Sequence, residues 1–274
     1  MNKDLIWGCK VMSAKDEDFK IGLALGGGGA RGLAHIGVIE VLEREDVNID
    51  MIAGTSIGSV IGGLYASGVP LKYIKGIADV LEWDNITDIT FPRIGLIKGN
   101  KFLSFMKVIT GHKNFSELDI PFAAVCCDIE SGEKVTIDSG SIARAIRGSI
   151  SIPGIYVPFN HQDRLLVDGG IIDKIPVSTV RDLGADVIIA VDVGADTIRS
   201  GVNNIFDVLF NTFDIMHRQF KSLHKLNSDI IIKPCLEEIS SFDLENVEKC
   251  IDAGRKAAEE SIASIKKIIE ERKT

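Results

Sequence analysis

The sequence is poor in basic clusters, in paired cysteines and in long uninterrupted apolar runs, and each shortage narrows what the chain can do. Lys and Arg number 31 against 39 Asp and Glu, a formal net charge of −8. No basic block breaks this acidic balance. A grip on nucleic acid, which needs clustered Lys and Arg against phosphates, is therefore a poor fit, although a local basic patch at a membrane surface is still open. The five cysteines are odd in number and show no C-x-x-C spacing. Neither a disulfide framework nor a thiolate zinc site is expected, and a reducing cytoplasm suits them. Residues 1–20 mix charges with scattered apolar residues, unlike a signal peptide, and read as an N-terminal extension. Residues 51–71 carry no charge and place Gly54, Gly58 and Gly62 at the spacing of packed membrane helices. Serines, glycines and Pro70 interrupt that run, so a soluble segment is expected.

What is present is an ordinary globular composition, 45% hydrophobic and 26% charged over 274 residues, with no internal repeat. Uniformly apolar stretches at 20–25, 50–53, 121–128, 164–167 and 187–191 read as buried strands. Helical periodicity follows at 31–45, 57–67, 141–147 and 177–183. Residues 133–137 read as a hairpin partner for 121–128 across Ser131 and Gly132. From 71 to 118 the pattern is weak. Apolar strands alternating with helices predict a three-layer α/β/α sandwich around a mainly parallel central sheet, over residues 21–196. Residues 197–274 read as a mainly helical extension of the same domain with an edge strand at 229–233. The helix at 203–226 carries a broad apolar face (Ile205, Phe206, Leu209, Phe210, Phe213), suited to packing on the core, to covering an acyl pocket or to touching a bilayer surface.

Gly54-Thr55-Ser56-Ile57-Gly58 is a G-x-S-x-G sequence between a predicted strand and a predicted helix. That setting forces a serine into a sharp turn, lifts its hydroxyl clear of the sheet and puts a helix N-terminus beneath it. The plain alternative is a small-residue helix start. A second glycine cluster, Gly26 to Gly29 with Ala30, Arg31 and Gly32, also joins a strand to a helix. Its amides could hold an oxyanion, with Arg31 adding positive potential or anchoring the loop to a carboxylate. Gly27, Gly29 and Gly32 equally satisfy a dinucleotide fingerprint with Asp50 as the ribose acid, which keeps a nucleotide-binding oxidoreductase in contention. A tight turn with no ligand is the third reading.

A serine nucleophile needs a proton acceptor. Asp168 ends a strand before Gly169 and Gly170, at the edge where α/β sheets collect reactive groups, though Asp-Gly is also a common turn. An unperturbed aspartate is a weak base, so it serves only in a dry site that raises its pKa. Among the histidines, His35 reads as packed, His112 lies in a loop and His161 in a turn. His217 and His224 follow Asp168 in the order of a Ser-His-Asp triad but fall in a helical pattern.

The ordered set Gly27–Gly32 (G-G-G-A-R-G), Gly54–Gly58 (G-T-S-I-G) and Asp168–Gly170 (D-G-G) resembles the patatin-like phospholipase family, in particular its small bacterial members. Arg147 to Gly154 (R-G-S-I-S-I-P-G) resembles the family's block ahead of the aspartate. The likeness covers residues 21–192. It implies a Ser56–Asp168 dyad without a catalytic histidine, an oxyanion hole at Gly27, Gly28 and Gly29, and hydrolysis of lipid acyl esters without calcium or another cofactor. D-G-G in place of the frequent D-G-A is a small departure. A lipid or acyl ester substrate, transient contact with a membrane surface and a cytoplasmic location follow as expectations, with a non-enzymatic adaptor on the same fold as a further class.

Overall fold

The computed structural model describes residues 19–91, 93–194, 205–223, 226–240 and 246–273. The expected N-terminal extension up to residue 18, His224 and the start of the 203–226 helix lie outside them. In chain order the elements are β1 (Ile21–Leu25), α1 (Ala34–Arg44), β2 (Met51–Thr55), α2 (Ile57–Ala66), α3 (Leu71–Val80), α4 (Trp83–Ile86), β3 (Gly95–Ile97) and α5 (Asn100–Ile109). Then come β4 (Phe122–Asp128), β5 (Lys134–Ile137), α6 (Ile142–Ser149), β6 (Gly154–Tyr156), β7 (Phe159–His161) and β8 (Arg164–Asp168). The chain closes with α7 (Val177–Asp182), β9 (Val187–Val191), α8 (Ile205–Leu223), β10 (Ile230–Ile232) and α9 (Val247–Lys273).

The main sheet runs β10-β9-β1-β2-β4-β8-β7, with β5 also on β4. Strands β10 to β4 are parallel. Beyond β4 every pairing is antiparallel, so the mainly parallel sheet carries an antiparallel side. Strand residues feed two cores alternately, as the two-residue repeat of a strand requires. Leu23, Leu25, Ile52, Phe122 and Ala124 join a large cluster with α1, α2, α6 and α9. Ala24, Ala53, Ala123 and Ala190 meet α7 on the other face. The result is a lopsided α/β/α sandwich, thick on one side.

The C-terminal elements are built into this body. β10 extends the parallel edge through β9, and Cys250, Ile251, Ala258 and Ile265 of α9 are buried in the large core. α1 and α9 cross so closely that a Cβ at Gly37 would stand 2.0 Å from the Ile251 carbonyl oxygen, and one at Gly254 equally close to that of Ala34. The uncharged run 51–71 divides between β2 and α2. Among the described residues no helix is long and apolar enough to cross a membrane. The weak region 71–118 resolves into α3, α4, β3 and α5. β3, with β6, forms a separate two-stranded sheet that periodicity does not reveal, because three residues per strand hold too little pattern.

Candidate active site

Ser56 sits at the corner between β2 and α2 with φ 53° and ψ −125°. Such a backbone costs a non-glycine residue roughly 1–3 kcal/mol and persists only when its surroundings enforce it. They do so here. The Ser56 amide donates to Ser149 Oγ (2.9 Å), whose own proton goes to the Val125 carbonyl (2.6 Å). Ser59 Oγ donates to the Ser56 carbonyl at 2.6 Å. The flanking glycines are a steric necessity: a Cβ at Gly54 would lie 2.4 Å from the Gly58 carbonyl oxygen.

Asp168 reaches this corner from the opposite direction. β4 is in register with β2 up to Thr55 and Val125, then runs three residues further. β8 returns antiparallel along that overhang and pairs Asp168 with Cys126, one step beyond the end of β2. The rule that reactive groups gather at carboxyl ends of parallel strands therefore explains Ser56 but not Asp168. Behind β8, Gly169 turns tightly against β4, where a Cβ would stand 2.3 Å from the Val125 carbonyl oxygen.

Ser56 Oγ donates to Asp168 Oδ2 at 2.5 Å, and Asp168 Oδ1 accepts the Gly170 amide at 2.8 Å. Both side chains are buried. Burial pushes the Asp168 carboxyl up to about 6, against the opposing pull of the Ser56 hydroxyl, the Gly170 amide and the Lys174 charge. A carboxylate near 6 is ionised at neutral pH yet far more basic than an exposed aspartate, which suits proton transfer from an alcohol.

The glycine loop faces the pair, but not all of its amides are available. The Gly27 amide donates to the Lys174 carbonyl at 2.9 Å, which removes it from the expected oxyanion donors and leaves Gly28 and Gly29. Arg31 does not point a charge at the serine. Its Nη2 meets Asp214 Oδ2 at 3.1 Å, and Lys174 Nζ meets Asp214 Oδ1 at 2.6 Å. Gly32 packs the loop on α2, where a Cβ would overlap the Ile57 side chain. His35, fully buried, donates Nε2–H to the Gly26 carbonyl (2.8 Å) and is held neutral, with its pKa lowered to about 4 by burial.

α8 covers the site. Of its expected apolar face, Leu209 packs on the core and Phe213 lines the cavity with Ile152, Pro153 and Ile171. The pocket between Ser56, Asp168, the glycine loop and α8 has a volume of about 50 Å³. Asp214, which clamps α8 to both Arg31 and Lys174, escapes sequence reasoning, while Ser149 falls in the Arg147–Gly154 block without its hold on the Ser56 amide being readable there. An acid beside Phe213 within an apolar helical stripe is the one signal that marks Asp214.

The rival assignments separate spatially. Asp50 accepts the Ile21 amide at 2.7 Å, at the amino edge of β1, roughly 15 Å of strand away from the glycine loop. It cannot complete a dinucleotide site there. His161 lies at the turn of the β7–β8 hairpin, paired with Arg164, about four residues or roughly 13 Å along β8 from Asp168. His112 is in the turn after α5, and His217 lines a small neighbouring cavity on α8. The partner of the Ser56 hydroxyl is Asp168.

Comparison with known proteins bears on the family and the fold. The chain is 37% identical over 204 residues to lysophospholipase NTE1 of Scheffersomyces stipitis, covering 70% of this chain and 13% of that protein. It is 40% identical over 177 residues to an uncharacterized NTE family protein of Mycobacterium tuberculosis, covering 64% of this chain and 49% of the relative. The chain thus spans about half the length of one relative and a small part of the other. VipD of Legionella pneumophila shares the fold, with a TM-score of 0.66 at 15% identity over 90% of this chain and 67% of that one. The patatin-like phospholipase family matches residues 23–181. That span holds the elbow, the aspartate and the glycine loop and exceeds half of the sequence, so the chain belongs to the patatin-like phospholipase family.

Proposed function

We propose that this protein hydrolyses acyl ester bonds of lipids, phospholipid or lysophospholipid-like, through an acyl-enzyme on Ser56. The observation that carries the reading is the 2.5 Å hydrogen bond from Ser56 Oγ to a buried Asp168 carboxylate, at a cavity wall made by the Gly28 and Gly29 backbone. Ser56 Oγ attacks the ester carbonyl carbon while its proton passes to Asp168 Oδ2. The Gly28 and Gly29 amides take the developing oxyanion, each such donor contributing about 3 kcal/mol in the transition state. The tetrahedral intermediate collapses, the ester C–O bond breaks, and the alcohol leaves with the proton from Asp168. Asp168 then deprotonates water, which attacks the acyl-enzyme, and Ser56 recovers its proton as the fatty acid departs. The relatives named lysophospholipase and the apolar lining of Ile152, Ile171 and Phe213 support a lipid substrate. The cysteine pattern supports a reducing cytoplasm.

The test uses a fluorophosphonate probe and p-nitrophenyl acyl esters on wild type, Ser56→Ala, Asp168→Asn, His161→Ala and His217→Ala. Labelling is expected to vanish in Ser56→Ala, and turnover to fall about a thousandfold in the first two variants only. Loss of turnover in a folded histidine variant would favour a triad instead. NADH binding by an unlabelled wild type would favour the oxidoreductase.

A further inference from the structure

Three large apolar side chains stand open within six residues: Ile89 at 84%, Phe91 at 80% and Ile94 at 61% exposure. Single exposed apolar residues are ordinary, but a group on one local feature is a surface with a purpose. The feature is built and held in place. Residues 89 and 97 bridge antiparallel. Across the fold-back, the Thr90 amide donates to Leu96 (2.8 Å) and the Lys98 amide to Asp88 (2.9 Å). At its base Asp88 accepts the Gly99 and Asn100 amides, and Arg147 donates to the Lys98 and Gly99 carbonyls.

Its charge and place indicate what covers it. Residues 89–98 contain Arg93 and Lys98 and no acid, in a chain of net charge −8, and both cations are exposed. Gly95, at the turn end of the hairpin, is the register partner of Gly154, the neighbour of cavity-lining Pro153. One strand spacing, about 4.8 Å, thus separates the turn end of the hairpin from the rim of the site. On the other side of Gly154, a Cβ would stand 3.7 Å from Leu209 of α8, and the adjacent Val208 is 49% exposed.

We infer that the 89–98 hairpin is a membrane-docking spur. Ile89, Phe91 and Ile94 insert into an anionic lipid surface, Arg93 and Lys98 meet its headgroups, and the cavity mouth is held against the lipid. This assignment rests on the lipid-ester reading above.

The experiment is co-sedimentation of the full chain with vesicles of phosphatidylcholine alone or mixed with phosphatidylglycerol. Turnover of a short water-soluble ester and of vesicle-borne lysophospholipid is measured in parallel. The triple variant Ile89→Ser/Phe91→Ser/Ile94→Ser is expected to bind both vesicles at least about tenfold more weakly. Arg93→Glu/Lys98→Glu, at exposed positions that do not threaten folding, is expected to lose binding mainly on phosphatidylglycerol. Both variants should keep the soluble-ester rate while losing vesicle turnover. Unchanged vesicle binding by both variants overturns the spur, as does a wild type that ignores vesicles. A wild-type dimer that the serine variant converts to monomer would also overturn it and assign the face to a second copy. Spur-dependent binding without hydrolysis of any ester would instead sink the enzymatic reading and leave the spur standing.

Discussion

From β10 to β4 the strands run parallel, while from β4 to β7 they alternate. The parallel half delivers Ser56 and the glycine loop by a local rule: a strand ends, the chain turns, and a helix begins above the carboxyl edge. The antiparallel half delivers Asp168 by construction, through the three-residue overhang of β4 and a strand that returns along it. The first arrangement tolerates change elsewhere in the sheet. The second makes the aspartate's position depend on register, because a slip of one residue on β8 would turn its side chain to the other face.

Breaking the antiparallel side should have the largest effect. Asp168→Asn preserves shape and removes the base, and turnover should fall about a thousandfold. In wild type, kcat/KM should rise with pH through about 6 as Asp168 ionises, a limb that Asn abolishes. Its stability effect has the opposite sign. Because the folded pKa is raised from 3.8 to about 6, the folded state favours the protonated acid. That contribution is full at pH below the ordinary aspartate value and is lost as pH rises through about 6. Asp168→Asn should therefore melt higher than wild type at pH 8, by up to about 3 kcal/mol, with the difference shrinking near pH 4.

A smaller effect tests the link between the halves. Ser149, from α6, holds the Ser56 amide with one hand and β4 with the other. Ser149→Ala leaves a buried amide unpaired, a cost of about 1–3 kcal/mol. It should lower kcat about tenfold with KM little changed, measured on a soluble ester. The smallest effect concerns the cover. Asp214 ties α8 to Arg31 from the parallel side and to Lys174 from the segment after β8. Asp214→Asn should loosen α8, lowering KM severalfold for long-chain esters but not for acetate, while thermal stability falls because two buried cations lose their carboxylate.

Much of the parallel half was legible in the sequence, because uniformly apolar strands, glycine corners and helical stripes are local signals. The edge strand expected at 229–233 is β10 at Ile230–Ile232. Of the antiparallel half, β5 was legible as the hairpin partner of β4 and β8 as a strand at 164–167, whereas β7 and its pairing were not. The β7–β8 hairpin turns on Gln162 and Asp163, both at positive φ, where Asn-Gly or Asp-Gly would announce such a turn. Ser56, Asp168 and the glycine loop could be named from motifs, and the structure brings them together. That the Gly27 amide is occupied, that Arg31 answers to Asp214, and that Asp50 sits at the wrong edge are all contacts across long sequence separations. No periodicity encodes them.

The α1–α9 crossing bears on how the molecule is made. As the chain leaves the ribosome, α1 emerges early, and its buried face (Ile36, Ile39, Val41, Leu42) finds its covering helix only after some two hundred further residues. Until then an oily stripe waits uncovered, the situation that slows folding and invites aggregation or chaperone capture. The nascent chain is thus unfinished even when Ser56, Asp168 and the glycine loop have already been translated.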